Sequence, residues 1–312
     1  MVNVMRIKKV GVVGAGTMGH QIAQVSAQAG YEVVLVDIAK EILDKALNRI
    51  RSNIEVLKEN GVKVPPTEEV LSRITGTTNL EDVRDADLII EAVPEDLKLK
   101  QEVFSKLDKI VPQHSILASN TSSLRIRDLA LSTSRPDKVL GLHFFSPVYI
   151  IPVVEVVKTD LTSKESLDYA INYVKSLRKH PLVCKDVPGF ILNRVTCALG
   201  ALTASLLDEG LVEDPAALDL AIRLVIGLRL PFTGPLQIMD LGGLDVWLSV
   251  LESLYKQLND PRYKPPRILE EKVRRGELGF KTGKGFYQYT DDSIIKYRDK
   301  MMIKLAKDLG YL

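Results

Sequence analysis

Four histidines offer proton chemistry near neutral pH, where an imidazole with an unperturbed pKa of about 6.5 changes charge. His20 follows a glycine-rich loop, His114 sits in a Pro-Gln-His-Ser turn and His180 precedes Pro181, so all three read as surface or connector positions. His143 differs, because it ends a buried run in V-L-G-L-H-F-F-S-P, and open α/β sheets bind their ligands at that edge. Twelve residues on, Glu155 lies within V-V-E-V-V, in what reads as an adjacent strand. A carboxylate buried there needs a partner, and a histidinium would satisfy it. Such a pair can take the proton of a hydroxyl that is being oxidised. A structural buried histidine beside an unrelated strand acid would give the same pattern, so spacing leaves both readings open. Ser122, where the strand-like I-L-A-S ends in N-T-S-S-L, and Asn193, in P-G-F-I-L-N-R, bring small polar groups suited to a substrate oxygen. Ser122 could equally cap the helix that follows, and Asn193 could be solvated.

A second motif supplies the oxidant. V-G-V-V-G-A-G-T-M-G delivers Gly14, Gly16 and Gly19 at the mouth of a helix, with Thr17 and Met18 between the last two. Gly14 permits the turn, Gly16 lets backbone approach a pyrophosphate, and Gly19 lets helix and strand pack closely. Asp37 closes the next strand, V-V-L-V-D, where a carboxylate accepts both ribose hydroxyls and repels a 2′-phosphate; NAD is therefore expected rather than NADP.

These motifs need a Rossmann-type scaffold, and the pattern provides one. Val10–Val13, Val33–Val36, Leu88–Val93 and Val139–Phe144 read as buried strands of a parallel sheet, while 19–29, 42–57 and 99–110 carry the spacing of amphipathic helices. After Val187-Pro188-Gly189 strand-like runs stop, and 190–207, 215–226 and 244–258 are helical in period. The expectation is an α/β Rossmann-type N-terminal domain over residues 1–186 followed by an all-α C-terminal domain over 187–312. A final amphipathic segment around Ile294, Ile295, Met301, Met302 and Leu305 needs a surface, its own domain first and a dimer contact second.

Composition excludes other classes. The 312 residues carry 42 basic and 40 acidic side chains, a net charge of +2, so no one-signed field attracts nucleic acid or a membrane surface. Cys184 and Cys197, both read in apolar surroundings, form no disulfide framework and fit a reducing compartment. The opening M-V-N-V-M-R-I-K-K-V runs straight into a strand pattern without a leader signature, and no stretch reaches 18 apolar residues, so a cytoplasmic protein with no membrane span is expected. No metal site is expected.

Taken together, G-A-G-T-M-G, S-N-T-S-S-L, G-L-H-F-F-S-P, V-V-E-V-V, D-V-P-G-F-I-L-N-R, G-P-L-Q-I-M-D-L-G-G-L-D and K-T-G-K-G-F-Y run in one order from Gly14 to Tyr287. In this the chain resembles the 3-hydroxyacyl-CoA dehydrogenases, including the bacterial 3-hydroxybutyryl-CoA enzymes of fatty acid metabolism. The resemblance implies His143 as general base, Glu155 as its orienting partner, Ser122 and Asn193 as hydrogen-bonding groups for the substrate, and cofactor contacts from Glu95, Lys100 and Lys281. It also implies a coenzyme A thioester substrate and a homodimer formed through the helical domain, which closes over the acyl chain.

The chain departs from the family pattern at three places. Ser146 stands where H-F-F-N-P usually has asparagine, which shortens a cofactor or substrate contact. Y-I-I-P-V-V-E replaces M-K-L-V-E, as in the sugar-acid branch. Asn53 replaces a serine at the family's coenzyme A contact, with Arg49, Arg51 and Lys58 nearby either attracting the coenzyme's phosphates or forming a solvated basic face. The leading expectation is NAD-dependent oxidation of a short (S)-3-hydroxyacyl-CoA. The alternatives are an L-gulonate 3-dehydrogenase-like enzyme, with Arg125 or Arg194 binding a free carboxylate, and a non-catalytic NAD-binding protein like the lens crystallins, which would be expected to have lost His143 or Glu155.

Overall fold

A computed structural model describes residues 7–312; the expectation about a leader falls on the first six residues and lies outside the described ones. The chain runs β1 (Lys9–Val13), α1 (Gly19–Gln28), β2 (Glu32–Val36), α2 (Lys40–Glu59), α3 (Thr67–Ser72), β3 (Ile74–Thr77), β4 (Leu88–Glu91), α4 (Leu97–Ile110), β5 (Ile116–Ser119), α5 (Ile126–Ala130), β6 (Val139–Phe144), β7 (Val153–Lys158), α6 (Lys164–Ser176), β8 (His180–Lys185) and α7 (Leu192–Asp208). Helices α8 (Pro215–Ile222), α9 (Pro235–Gly242), α10 (Leu244–Leu258), α11 (Arg267–Arg274) and α12 (Ser293–Asp308) follow. One compact unit ends at Ala201, within α7, and the second is Leu202–Leu312.

The first unit is built on an eight-stranded sheet in the order β3-β2-β1-β4-β5-β6-β7-β8. Strands of apolar residues buried on both faces form because each face receives helices. Val10, Val12, Leu88, Ile90, Leu142 and Phe144 join one core with Ile22, Ile50 and Tyr173 from α1, α2 and α6, while Ile89, Leu117, Val139 and Val157 join the other with Phe104, Leu107 and Leu129 from α4 and α5. The sheet is not wholly parallel as expected: β7 runs antiparallel to β6, and β8 parallel to β7. The short connector from Phe144 to Val153 explains the reversal, since a parallel return needs a crossover of about a dozen residues or more. The order reverses between β1 and β4, which opens a crevice at the C-terminal ends of those strands.

In the second unit Leu244 of α10, Leu269 of α11 and Ala306 of α12 are buried apolar residues. The expected helix at 215–226 is α8 up to Ile222, continued by a wider π-type turn over Arg223–Gly227. The C-terminal segment is helical and packs on its own unit, with Tyr297 of α12 edge-on to Phe232 at 6.5 Å. No helix among the described residues is long and apolar enough to cross a membrane.

Candidate active site

Antiparallel pairing sets His143 directly opposite Glu155, with both side chains on the sheet face away from Leu142, Phe144, Val154 and Val156. His143 Nδ1 lies 2.7 Å from Glu155 Oε2; the glutamate is fully buried and the histidine 5% exposed. The other carboxylate oxygen, Oε1, accepts from the backbone N–H groups of Ile191 at 3.0 Å and Leu192 at 2.7 Å, where α7 begins. These amides lack partners within their helix, and the dipole there favours an anion. Burial alone would raise the pKa of Glu155, but His143 and these two N–H groups outweigh it and hold it below the ordinary carboxylate value. An ionised carboxylate only accepts, so Nδ1–H of His143 donates, and in the neutral ring Nε2 keeps its lone pair. Phe145 and Phe190 flank the ring, with centroids at 4.5 and 5.6 Å.

Ser122 and Asn193 meet: Asn193 Nδ2 donates to the Ser122 carbonyl at 3.1 Å. Ser122 caps no helix, because α5 starts after Arg125 and takes its N-terminal partner from Asp186, whose carboxylate accepts from Ile126 N and Arg127 N at 3.0 and 2.8 Å. The serine loop is instead gathered by Glu95, whose Oε1 accepts from Thr121 Oγ1 (2.5 Å), Ser122 N (3.0 Å), Ser123 N (3.1 Å) and Ser123 Oγ (2.9 Å). Burial opposes the charge on Glu95, yet the Thr121 and Ser123 hydroxyls and the Lys100 ammonium lower its pKa to about 2. Lys100 is 1% exposed, and its Nζ reaches Glu91 Oε1 at 2.7 Å, the Val93 carbonyl at 3.0 Å and Glu95 Oε2 at 3.2 Å. Three acceptors match the three donors of an ammonium, so Lys100 is engaged within the protein and bears on the crevice through Glu95.

In the glycine loop the three glycines differ as their tasks require. Gly14 has φ +100°, and a Cβ there would meet the Ala92 carbonyl oxygen at 2.6 Å; at Gly19 a Cβ would meet the Gly14 carbonyl oxygen at 1.7 Å. At Gly16 a Cβ would meet nothing within 4 Å, so no protein atom demands the missing side chain. Gly16 and Thr17 are exposed and Met18 half-buried, and the first turn of α1 carries no acid to repel a phosphate. Asp37 braces the loop by accepting from Ala15 N at 2.6 Å, while its Oδ1 takes Ile38 N at 2.7 Å, with lone pairs on both oxygens left for hydroxyls. Ile38 is 91% exposed at the same edge, an apolar surface fit to cover a purine face. The loop therefore fits a dinucleotide.

The other candidates divide. Ser146 is exposed just beyond β6. Asn53 on α2 donates to Gln24 Oε1 at 2.9 Å, while Arg51 pairs with Glu68 and Lys58 with Glu55, so two of the basic residues on that helix are matched by acids. Contrary to its expected surface position, His20 is 5% exposed with Nδ1 at 2.6 Å from the Gly16 carbonyl, and burial first of all lowers its pKa. His114 contacts Asp87 at 3.2 Å, and His180 is exposed at the start of β8. Cys184 is buried as expected, whereas Cys197 is exposed on α7. Within the second unit Lys281 pairs with Asp245 at 2.5 Å. Its loop is pinned by buried Asp240, which accepts from Phe286 N and Tyr287 N at 2.9 Å and from Tyr289 Oη at 3.0 Å.

The sequence matches the family model of the 3-hydroxyacyl-CoA dehydrogenase NAD binding domain over residues 9–187 and that of the C-terminal domain over 189–289. The chain belongs to the 3-hydroxyacyl-CoA dehydrogenase family. It is 40% identical over 282 residues to the 3-hydroxybutyryl-CoA dehydrogenase of Clostridioides difficile, covering 90% of this chain and 99% of the relative. It is 38% identical over 291 residues to the mitochondrial hydroxyacyl-coenzyme A dehydrogenase of Sus scrofa, covering 91% of each. The crystal structure of the Archaeoglobus fulgidus 3-hydroxyacyl-CoA dehydrogenase superposes with a TM-score of 0.83 at 34% identity, over 98% of this chain and all of that one. The protein is thus an NAD-dependent 3-hydroxyacyl-CoA dehydrogenase.

Several residues of this dehydrogenase escaped the sequence reading. Glu91, in L-I-I-E-A-V, carries the signal that exposed Glu155, an acid inside a buried strand, and it is indeed fully buried. Asn120, whose Oδ1 accepts from Phe144 N at 2.9 Å, and Asp186 and Asp240, which hold loops distant in sequence, have no local signature.

Proposed function

We propose that this dehydrogenase oxidises a short (S)-3-hydroxyacyl-CoA, such as 3-hydroxybutyryl-CoA, to the 3-ketoacyl-CoA, with His143 as general base and Glu155 as its orienting partner. The supporting observation is the 2.7 Å Nδ1–Oε2 contact, which leaves Nε2 as the basic atom of the ring. Nε2 takes the proton of the 3-hydroxyl, and the imidazolium so formed is stabilised by a carboxylate that α7 keeps ionised. Bound NAD supplies the hydride acceptor. Ser122 and Asn193, already joined, hold the substrate oxygen, and Glu95 with Lys100 fixes the loop that carries Ser122. Gly14, Gly16, Thr17, Met18, Gly19 and Asp37 bind the adenosine and pyrophosphate side of the cofactor; Ser146 and Lys281 are assigned to the same cofactor, and Asn53 to the thioester, by family resemblance. The proposed domain boundary at 186/187 is supported by the break between the two family models at 187–189, although the compact units divide later, after Ala201, within α7; the free thiols fit the reducing cytoplasm. A homodimer is supported by Leu220, Val225, Val246 and Val250, all exposed on the helices of the second unit.

The test is NADH oxidation with acetoacetyl-CoA, with longer 3-ketoacyl-CoAs and with free keto acids. Fastest turnover on the shortest thioester supports the reading, and preference for a free acid rejects it in favour of a sugar-acid dehydrogenase. In the same assay His143→Gln loses about 100-fold or more in turnover while NADH still binds. Undiminished turnover would remove His143 from the mechanism.

A further inference from the structure

The strands bearing His143 and Glu155 are joined by the connector from Phe145 to Pro152, which also carries Ser146. That connector is anchored to the nucleotide loop by a residue outside the machinery above. Gln21, in the first turn of α1 and 5% exposed, uses both ends of its amide. Its Oε1 accepts from Val148 N at 2.7 Å, and its Nε2 donates to the Thr17 carbonyl at 2.7 Å. Val148 is itself 1% exposed, and on its other side the buried Lys179 donates to the carbonyls of Val148 at 2.6 Å and Ile151 at 2.7 Å. Within the connector, Ile150 N and Ile151 N both turn back to the Pro147 carbonyl at 3.0 and 2.9 Å. The segment is therefore fixed at its midpoint between two buried polar side chains, one of which grips the loop that receives the cofactor.

We propose that Gln21 is a positioning residue that couples the nucleotide loop to the His143–Glu155 pair through Val148. Thr17 cannot shift toward or away from a bound pyrophosphate without moving the Gln21 amide, and the amide carries the connector with it. An apolar side chain of the same length would fill the space and break both links. A carboxylate would keep the link to Val148 N, because it still accepts, and would lose the link to Thr17, because it no longer donates. The inference rests on His143 and Glu155 being the catalytic pair.

The test compares Gln21→Met and Gln21→Glu with the unaltered enzyme, reading the NADH Kd by fluorescence titration, kcat for acetoacetyl-CoA reduction across pH, and Tm. For Gln21→Met the NADH Kd rises and kcat falls, each by about tenfold, and the kcat–pH profile shifts. For Gln21→Glu the Kd rises at least as far, while kcat falls much less and the profile stays in place. Equal losses of kcat in the two variants would overturn the coupling, as would a Gln21→Met enzyme within about twofold of the original in both Kd and kcat. A lowered Tm with normal kcat per folded molecule would assign Gln21 to stability alone. If instead His143→Gln turned over normally, the catalytic reading would fall, whereas the NADH titrations would still report on the loop.

Discussion

His143 and Glu155 face each other across one rung of the antiparallel β6–β7 ladder, so the distance between imidazole and carboxylate is set by backbone pairing rather than by two flexible loops. Residues directly opposite hold their Cβ atoms about 4.5–5.5 Å apart, a span an imidazole and a carboxylate close with one hydrogen bond. Each end of the glutamate has a separate task, since Oε1 holds the start of α7 and Oε2 orients the ring.

Glu155→Gln tests the second task. A glutamine oxygen can still accept from Ile191 N and Leu192 N, which turns its NH₂ toward Nδ1 and forces the ring proton onto Nε2. The fold survives and the base is lost. Turnover is expected to drop by roughly 10²–10⁴, as when a histidine is held in the wrong tautomer, with NADH affinity little changed. Steady-state kinetics beside an NADH titration separate the two quantities.

The glycine loop yields a paired prediction. Gly16→Ala adds a methyl to open space and should leave stability within about 0.5 kcal/mol, while NADH binds about tenfold or more weakly, roughly 1.4 kcal/mol. Gly19→Ala drives a Cβ into the Gly14 carbonyl and should cost about 1–3 kcal/mol or more in urea unfolding before any cofactor is added. A Gly16→Ala protein that unfolds easily, or one that binds NADH normally, would contradict the role given to that glycine.

The local motifs were legible because their meaning lies in neighbouring residues. A strand, three glycines and a closing acid within thirty residues define the nucleotide loop, and an acid among β-branched residues betrays Glu155. The direction of β7 was also within reach, since the connector after Phe144 is too short for a parallel return. Other features were not. His20 looked like a loop residue because burial of the first turn of α1 depends on α2 and the connector packing over it. Likewise the hydroxyl and backbone N–H partners of Glu95 lie on the loop after β5, and those of Asp240 lie beyond α11. Spacing in one chain carries no record of such meetings.

Glu95 makes acid stability predictable. Its pKa in the folded protein is about 2, below its ordinary 4.5, so its contribution is complete above about pH 4.5 and is lost as pH falls toward 2. Thermal melts of the original protein and of Glu95→Gln should therefore differ most near neutrality and converge as pH approaches 2. A gap that stayed constant over that range would show that the Glu95 charge does not stabilise the serine loop.

The buried Lys100–Glu91 pair separates support of the loop from direct contact with the cofactor. Lys100→Met alone strands the fully buried Glu91 carboxylate, and breaking such a pair costs about 3–5 kcal/mol. Adding Glu91→Gln removes the stranded charge, keeps an oxygen for Val93 N and turns an NH₂ toward Ser119 Oγ, which can accept from it, so the double variant should recover most of that loss in urea unfolding. Catalysis should not recover with it. Without the ammonium, Glu95 loses the charge that steadies it, the Ser122 loop loosens, and KM for the acyl-CoA stays raised in the stable double variant. If KM for the thioester returned to normal while the NADH Kd remained high, Lys100 would have to touch the nucleotide itself, and the path from Glu91 through Lys100 and Glu95 to Ser122 would be structural only.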